Sequence, residues 1–157
     1  MLILQKMDEN VFEKFINNQI KEYARENVEA GFWEESEALE KSKHEIDKLL
    51  PEGLETKDQL IFSMIEEDSN ENIGSLWIQV RDHKKAKSVF IYYIEISENN
   101  RGKGLGKQAL VTLENWCLSN RVSKIGLHVF AKNSVARNLY KKFGFVDTNY
   151  NMNKDFF

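Results

Sequence analysis

The run Arg101-Gly102-Lys103-Gly104-Leu105-Gly106-Lys107 constrains this chain more than any other stretch. It follows a strongly apolar run, Val89 to Ile96, and opens an amphipathic one, Leu105 to Leu118, so the backbone must pass there from a strand into a helix. Glycines at alternate positions let the chain turn tightly and bring backbone N–H groups close to a ligand with no Cβ in the way. The first helical turn adds N–H groups without intrahelical partners and the positive end of the helix dipole, which together favour an anion. Arg101, Lys103 and Lys107 surround that site with mobile positive charge. The physical reading is a pocket for a diphosphate-like group.

Two familiar phosphate loops fit badly. A Walker A loop needs four residues between its glycines and then Lys followed by Ser or Thr. Gly102 and Gly106 enclose only three, and Gln108 follows Lys107. A dinucleotide fingerprint reads G-x-G-x-x-G near a first strand, with an acidic residue about 20 positions on. Gly102, Gly104 and Gly106 are spaced G-x-G-x-G, deep in the chain, and the next strand runs into Phe130-Ala131-Lys132.

The segment resembles motif A of the GNAT family of N-acetyltransferases, R/Q-x-x-G-x-G/A, through Arg101, Gly104 and Gly106. A second stretch, Asn133-Ser134-Val135-Ala136-Arg137-Asn138-Leu139-Tyr140-Lys141-Lys142-Phe143-Gly144-Phe145, is similar to that family's motif B at every specified position. The likeness is close over roughly residues 60–153 and only general before that. Within the family, the region from Asn17 to Thr56 resembles a small bacterial subgroup of uncharacterised acetyltransferases.

A length of 157 residues argues for one domain, and the resemblance makes residues 1–157 a single N-acetyltransferase domain. A net charge of −3 argues against nucleic-acid binding, which relies on a basic face. No apolar run approaches the roughly 20 residues of a membrane span. Met1 to Lys6 is too short for a signal peptide and reads as a first strand. The single cysteine, Cys117, has no partner for an internal disulfide, which suits a reducing cytoplasm, and its place on an apolar helix face makes it a core residue rather than a nucleophile.

Along the chain, Asp8-Glu9-Asn10 offers an N-cap to a helix carrying Val11, Phe12, Phe15, Ile16, Ile20 and Tyr23, broken by Gly31. A charged helix follows from about Glu34 to Leu50, stopped by Pro51 and Gly53. Gln59–Glu66 and Ile73–Arg81 alternate as strands around the turn at Glu67 to Asn72; Lys84-Lys85-Ala86 turns into a strand over Lys87–Ser97. After the Leu105 helix come a strand over Lys124–Phe130, a helix over Ser134–Phe143 stopped by Gly144, and a last strand over Phe145–Asn153. An antiparallel meander followed by β-α-β-α-β is an α+β pattern with a mixed sheet. The GNAT likeness adds that the two central strands splay apart.

What the resemblance implies for chemistry is specific. Acetyl-CoA is the co-substrate, with no metal. Its pyrophosphate is cradled by Arg101, Gly102, Lys103, Gly104, Leu105, Gly106 and Lys107, and its pantetheine arm pairs strand-like with Ile94 and Ile96. Tyr140 is the general acid toward the coenzyme sulfur, and Asn133 both caps its helix and contacts the cofactor. Two bases compete to deprotonate the amine. His128 is expected mid-strand and carries an imidazole, the side-chain type suited to taking a proton at neutral pH, and Glu95 lies between Ile94 and Ile96. The helices that wall the acceptor pocket in relatives are acidic here (Glu22, Glu26, Glu29, Glu34, Glu35, Glu37, Glu40), which suits a cationic amine or a merely solvated face. Trp33, Trp77, Tyr92 and Tyr93 are candidates for its lining, Trp77 equally for the core. The expected activity is direct acetyl transfer to a primary amine of a small molecule, peptide or protein. The rival is a non-catalytic acyl-CoA-binding sensor or interaction module of the same fold. Many relatives dimerise, often through the C-terminal strand, and Tyr150, Phe156 and Phe157 suit a homodimer contact.

Overall fold

The computed structural model describes residues 1–83 and 86–157. Strands β1 (Leu2–Lys6), β2 (Gln59–Glu66), β3 (Glu71–His83), β4 (Ala86–Ile96) and β5 (Val122–Leu127) form one sheet in the order β1-β2-β3-β4-β5. The first four run antiparallel and β5 runs parallel to β4. Helices α1 (Glu9–Glu29) and α2 (Glu35–Leu49) connect β1 to β2; α3 (Leu105–Ser119) connects β4 to β5, and α4 (Ser134–Lys142) follows β5. The expected turn at Lys84-Lys85 lies outside the described residues.

Alternating strand residues divide the core between the two faces. On one face Met64, Leu76, Ile78, Val89 and Ile91 pack against Leu105, Ala109, Leu113 and Cys117 of α3. On the other, Ile61 and Trp77 meet Phe15 of α1 and Ile46 of α2. Asp8 caps α1, its carboxylate accepting the Val11 N–H at 3.0 Å, and Gly31 follows the helix at φ +77°, a conformation that a side chain would oppose.

Two features shape the site. First, β4 carries a bulge. Ile78 pairs with Ile91 but Trp77 pairs with Tyr93, so Tyr92 is the extra residue. Bulges bend the strand that contains them, and the pairing of β4 with β5 stops at the adjacent residue, Ile91↔Leu127. From Tyr92 to Ile96, β4 therefore has β3 on one side and an open edge on the other. Secondly, Ser97 N–H donates to Ile73 O at 2.9 Å beside the Gly74↔Ile96 pair. That makes Gly74/Ile96 and, in the same register, Leu76/Ile94 non-hydrogen-bonded pairs. Ile94 and Ile96 thus turn their own N–H and C=O groups away from β3, into the gap.

Two sequence expectations are corrected. The strand expected over Lys124–Phe130 runs from Val122 to Leu127, so His128 lies beyond its end rather than in mid-strand. The bend at Tyr92 carries β4 away and leaves residues 128–130 without a partner. The strand expected over Phe145–Asn153 does not form; no regular structure follows α4. Its alternate positions are Asp147, Asn149, Asn151 and Asn153, poor strand formers that compete for local hydrogen bonds. Asp147 accepts from the Tyr150 hydroxyl at 2.8 Å and pairs with Lys141 at 3.2 Å. Tyr150, Phe156 and Phe157 are exposed on this tail.

Candidate active site

The glycine loop lies at the open end of β4. Gly102 and Gly104 take φ +75° and +76°, and a Cβ placed on either would meet nothing within 4 Å, so backbone conformation rather than crowding demands glycine there. Gly104 is the N-cap of α3 and provides no side-chain cap. The first backbone bond of the helix is Gln108 N–H to Gly104 O at 3.3 Å, leaving the N–H groups of Leu105, Gly106 and Lys107 for a ligand. These are the donors a pyrophosphate needs, and the adjacent open edge of β4 offers the pairing groups an amide-bearing arm needs. The helix start and the strand edge are thus two separate features suited to a ligand that joins a diphosphate to an amide-bearing arm.

A residue not singled out from the sequence braces this loop. Asn100 is buried, donating from Nδ2 to Glu71 Oε1 (3.0 Å) and Ser97 Oγ (3.1 Å) while its Oδ1 accepts from Lys103 Nζ at 3.0 Å. Nothing in the Glu98-Asn99-Asn100 run distinguishes the buried amide from its exposed neighbours. Lys107 lies on the side of α3 toward β1, where it helps line a surface groove of about 500 Å³.

Helix α4, which carries Tyr140, reaches the start of α3 through Leu139. Leu139 Cδ2 lies 3.5 Å from where a Cβ on Gly106 would stand, so the small residue lets α4 rest on the start of α3. Asn133 caps α4 as expected, accepting the Ala136 N–H at 3.2 Å. The Tyr140 ring packs against Phe145 at 5.5 Å between centroids, and burial raises its phenol above the usual value of 10.0. The hydroxyl therefore stays protonated throughout the neutral range.

The bulge sends Tyr93 and Glu95 to the α1 face, while Ile94 and Ile96 pack toward α3. Both carboxylate oxygens of Glu95 are engaged, one by the Tyr93 hydroxyl and the other by the Arg101 guanidinium. Arg101 also donates from Nε to Ile96 O at 3.0 Å. Across the cleft Glu26 of α1 is half-buried, and burial raises its carboxyl, with Arg25 opposing the shift and Glu22, Glu29 and Glu95 adding to it. Glu95 thus faces the acidic helix wall. His128 is exposed past the end of β5, its ring edge-on to Phe130 (5.0 Å, 90°). Among the described residues no hydrogen bond or ion pair joins it to Glu95 or Tyr140.

Part of the acidic wall is internally neutralised. Glu22 and Glu29 hold Arg25 at 2.7 and 2.8 Å, and Glu37 pairs with Lys41. Lys132, in the loop after β5, donates to Glu29 O at 3.4 Å and joins the two banks of the cleft. Of the aromatic candidates, Trp77 belongs to the core, donating from Nε1 to buried Gln59 at 2.7 Å, and Tyr92 packs on it at 4.9 Å. Trp33 stands edge-on to Tyr23 near the end of α1. Among the described residues no cluster of His, Cys, Asp or Glu could hold a metal, and no helix is long and apolar enough to cross a membrane.

Comparison with known proteins agrees with this geometry. The model of the acetyltransferase (GNAT) family matches residues 19–145. The uncharacterized N-acetyltransferase YdgE of Bacillus subtilis is 35% identical over 151 residues, 96% of each chain. A second protein of that organism, the uncharacterized N-acetyltransferase YycN, is 37% identical over 153 residues, 98% of this chain and 97% of its own. The YycN crystal structure superposes with a TM-score of 0.95, covering 100% of this chain and 99% of that one.

Proposed function

The chain belongs to the acetyltransferase (GNAT) family, whose members generally use acetyl-CoA, and on that premise we propose that it passes the acetyl group of acetyl-CoA directly to a cationic primary amine. The observation that carries the reading is the meeting, at one end of β4, of an uncapped helix start and an unpaired strand edge.

The N–H groups at the start of α3 bind the diphosphate, and Ile94 and Ile96 pair with the pantetheine amides. A backbone N–H of the same edge serves as donor to the oxyanion of the tetrahedral state. An acceptor that arrives as an ammonium ion loses one proton to water before attack, and Glu95, its carboxylate being on the cleft side facing Glu26, takes a second from the attacking nitrogen. The amine nitrogen then bonds to the acetyl carbon, the carbon–sulfur bond breaks, and Tyr140 gives its proton to the departing thiolate. Glu26 and the unpaired part of the α1–α2 wall favour an acceptor that arrives as an ammonium ion. Cys117 stays out of the reaction, since burial and then Glu114 push its thiol up to about 11.

The test is incubation with acetyl-CoA and a panel of polyamines, lysine peptides and aminoglycosides, read as free thiol. Amine-dependent release is the expected result. Coenzyme A binding without release from any amine favours the non-catalytic module instead, and no binding at all removes the acetyl-CoA reading.

A further inference from the structure

Arg101 holds two groups at once, and the proposed reaction needs both of them free. Its Nε engages the Ile96 carbonyl, on the edge to which the pantetheine arm would pair, while its terminal nitrogen holds one oxygen of Glu95. Tyr93 donates to the other oxygen, so each oxygen of the carboxylate already accepts one hydrogen bond and an incoming amine must share it or displace a donor. The guanidinium that closes this arrangement is itself the first residue of the loop whose N–H groups would receive a diphosphate.

We propose that Arg101 is a latch that couples the two halves of the site: without cofactor it keeps Glu95 and Ile96 engaged, and a bound diphosphate draws it off both. This rests on the acetyl-CoA reading above. Three features make the coupling physical. The ion pair is partly solvent-exposed, at 55% for the Arg101 side chain and 43% for Glu95, so it is weak enough to exchange. A diphosphate carries more charge than one carboxylate and accepts a guanidinium in the same forked manner. The latch lies at the mouth of the gap, where Arg101 follows the 3-10 turn at Glu98–Asn100 that Asn100 anchors. The same exchange makes Ile96 O available as an acceptor for the incoming arm.

The experiment measures coenzyme A affinity by calorimetry at about 0.15 M salt, where the screening length is about 8 Å, for the wild type, E95Q and E98Q. Glu98 is exposed on the same turn, and E98Q removes an equal charge without touching the latch. Releasing Arg101 in advance should tighten E95Q about two- to fivefold over wild type, with E98Q gaining less than half as much. Equal gains in both variants reduce the effect to general charge and overturn the latch; so does unchanged or weaker binding by E95Q. If the wild type itself fails to bind coenzyme A, the acetyl-CoA reading falls, a result distinct from either.

Discussion

Replacing Gly74 with alanine should damage both stability and the site, and the size follows from one distance. A Cβ on Gly74 would stand 2.2 Å from the Glu95 carbonyl oxygen and 2.7 Å from Met64 Cε. The methionine methyl can swing aside. The carbonyl cannot, because it is backbone of β4 and faces β3 in the pair register. Bringing that contact out to the 3.0 Å that real Cβ atoms tolerate means moving β4 back by about 0.8 Å. Forcing a methyl into a packed interior costs about 1–3 kcal/mol, and a rigid partner puts this case at the upper end. For a chain of this size each kcal/mol lowers the melting temperature by about 2–4 °C, so Gly74→Ala should melt about 6–12 °C below wild type. The displaced segment carries Glu95 and Ile96, so the surviving folded protein should also bind coenzyme A more weakly. Thermal unfolding followed by circular dichroism, with calorimetry on the folded protein, reads both. Gly102→Ala is the control: nothing lies within 4 Å of its Cβ, so only the left-handed φ opposes it, at about 1–2 kcal/mol. If Gly74→Ala melts within about 2 °C of wild type, less than one kcal/mol on that scale, the close approach of β3 to Glu95 is not what glycine is there to permit.

Tyr140→Phe should reduce turnover about ten- to a thousandfold with coenzyme A affinity nearly intact; because burial raises the phenol above 10.0, the wild-type rate should show no alkaline fall from this group below pH 10, and such a limb vanishing in the variant would contradict the assignment. Cys117, with its thiol pushed up to about 11, should react with maleimide at pH 8 at least about a hundredfold more slowly in the folded than in the unfolded protein, since little thiolate is present. Gln59→Leu would leave the buried indole N–H of Trp77 without its acceptor, costing about 1–3 kcal/mol; an unchanged melting temperature would mean that water or another group takes the bond.

The loop and its helix are legible in the sequence because they rest on local chemistry. Glycine at Gly102 and Gly104 answers to a positive φ that each residue adopts on its own account, and Asn133 caps the helix that follows it. Glu95 and Tyr140 stand out in the sequence by residue type and position alone. Other features depend on partners distant in the chain. Asn100 is buried because Glu71, on β3, meets it. The alternation in Leu127-His128-Val129 predicts a strand through His128, but a strand lasts only as long as its neighbour stays, and β4 leaves at Ile91. The C-terminal segment shows the converse failure. Its alternation is genuine, yet aspartate and asparagine at every second position find local partners instead of a sheet.

The bulge at Tyr92 links most of these outcomes, and its trace is present in the residues. Strict alternation from Val89 would put Val89, Ile91, Tyr93 and Glu95 on one face, burying a carboxylate beneath α3. Instead the side chains facing α3 are Val89 and Ile91, then Ile94 and Ile96, a spacing of two, three and two. The single step of three is the mark of an inserted residue. One extra residue changes three things together. It turns Glu95 and Tyr93 toward the acidic wall of α1. It restores Ile94 and Ile96 to the apolar face. It also bends β4 off β5, leaving the backbone groups of those two isoleucines without a strand partner in the gap. The placing of Glu95, the strand edge and the opening are therefore not separate inventions in this chain but consequences of one change of parity, and a deletion of Tyr92 would have to abolish all three at once.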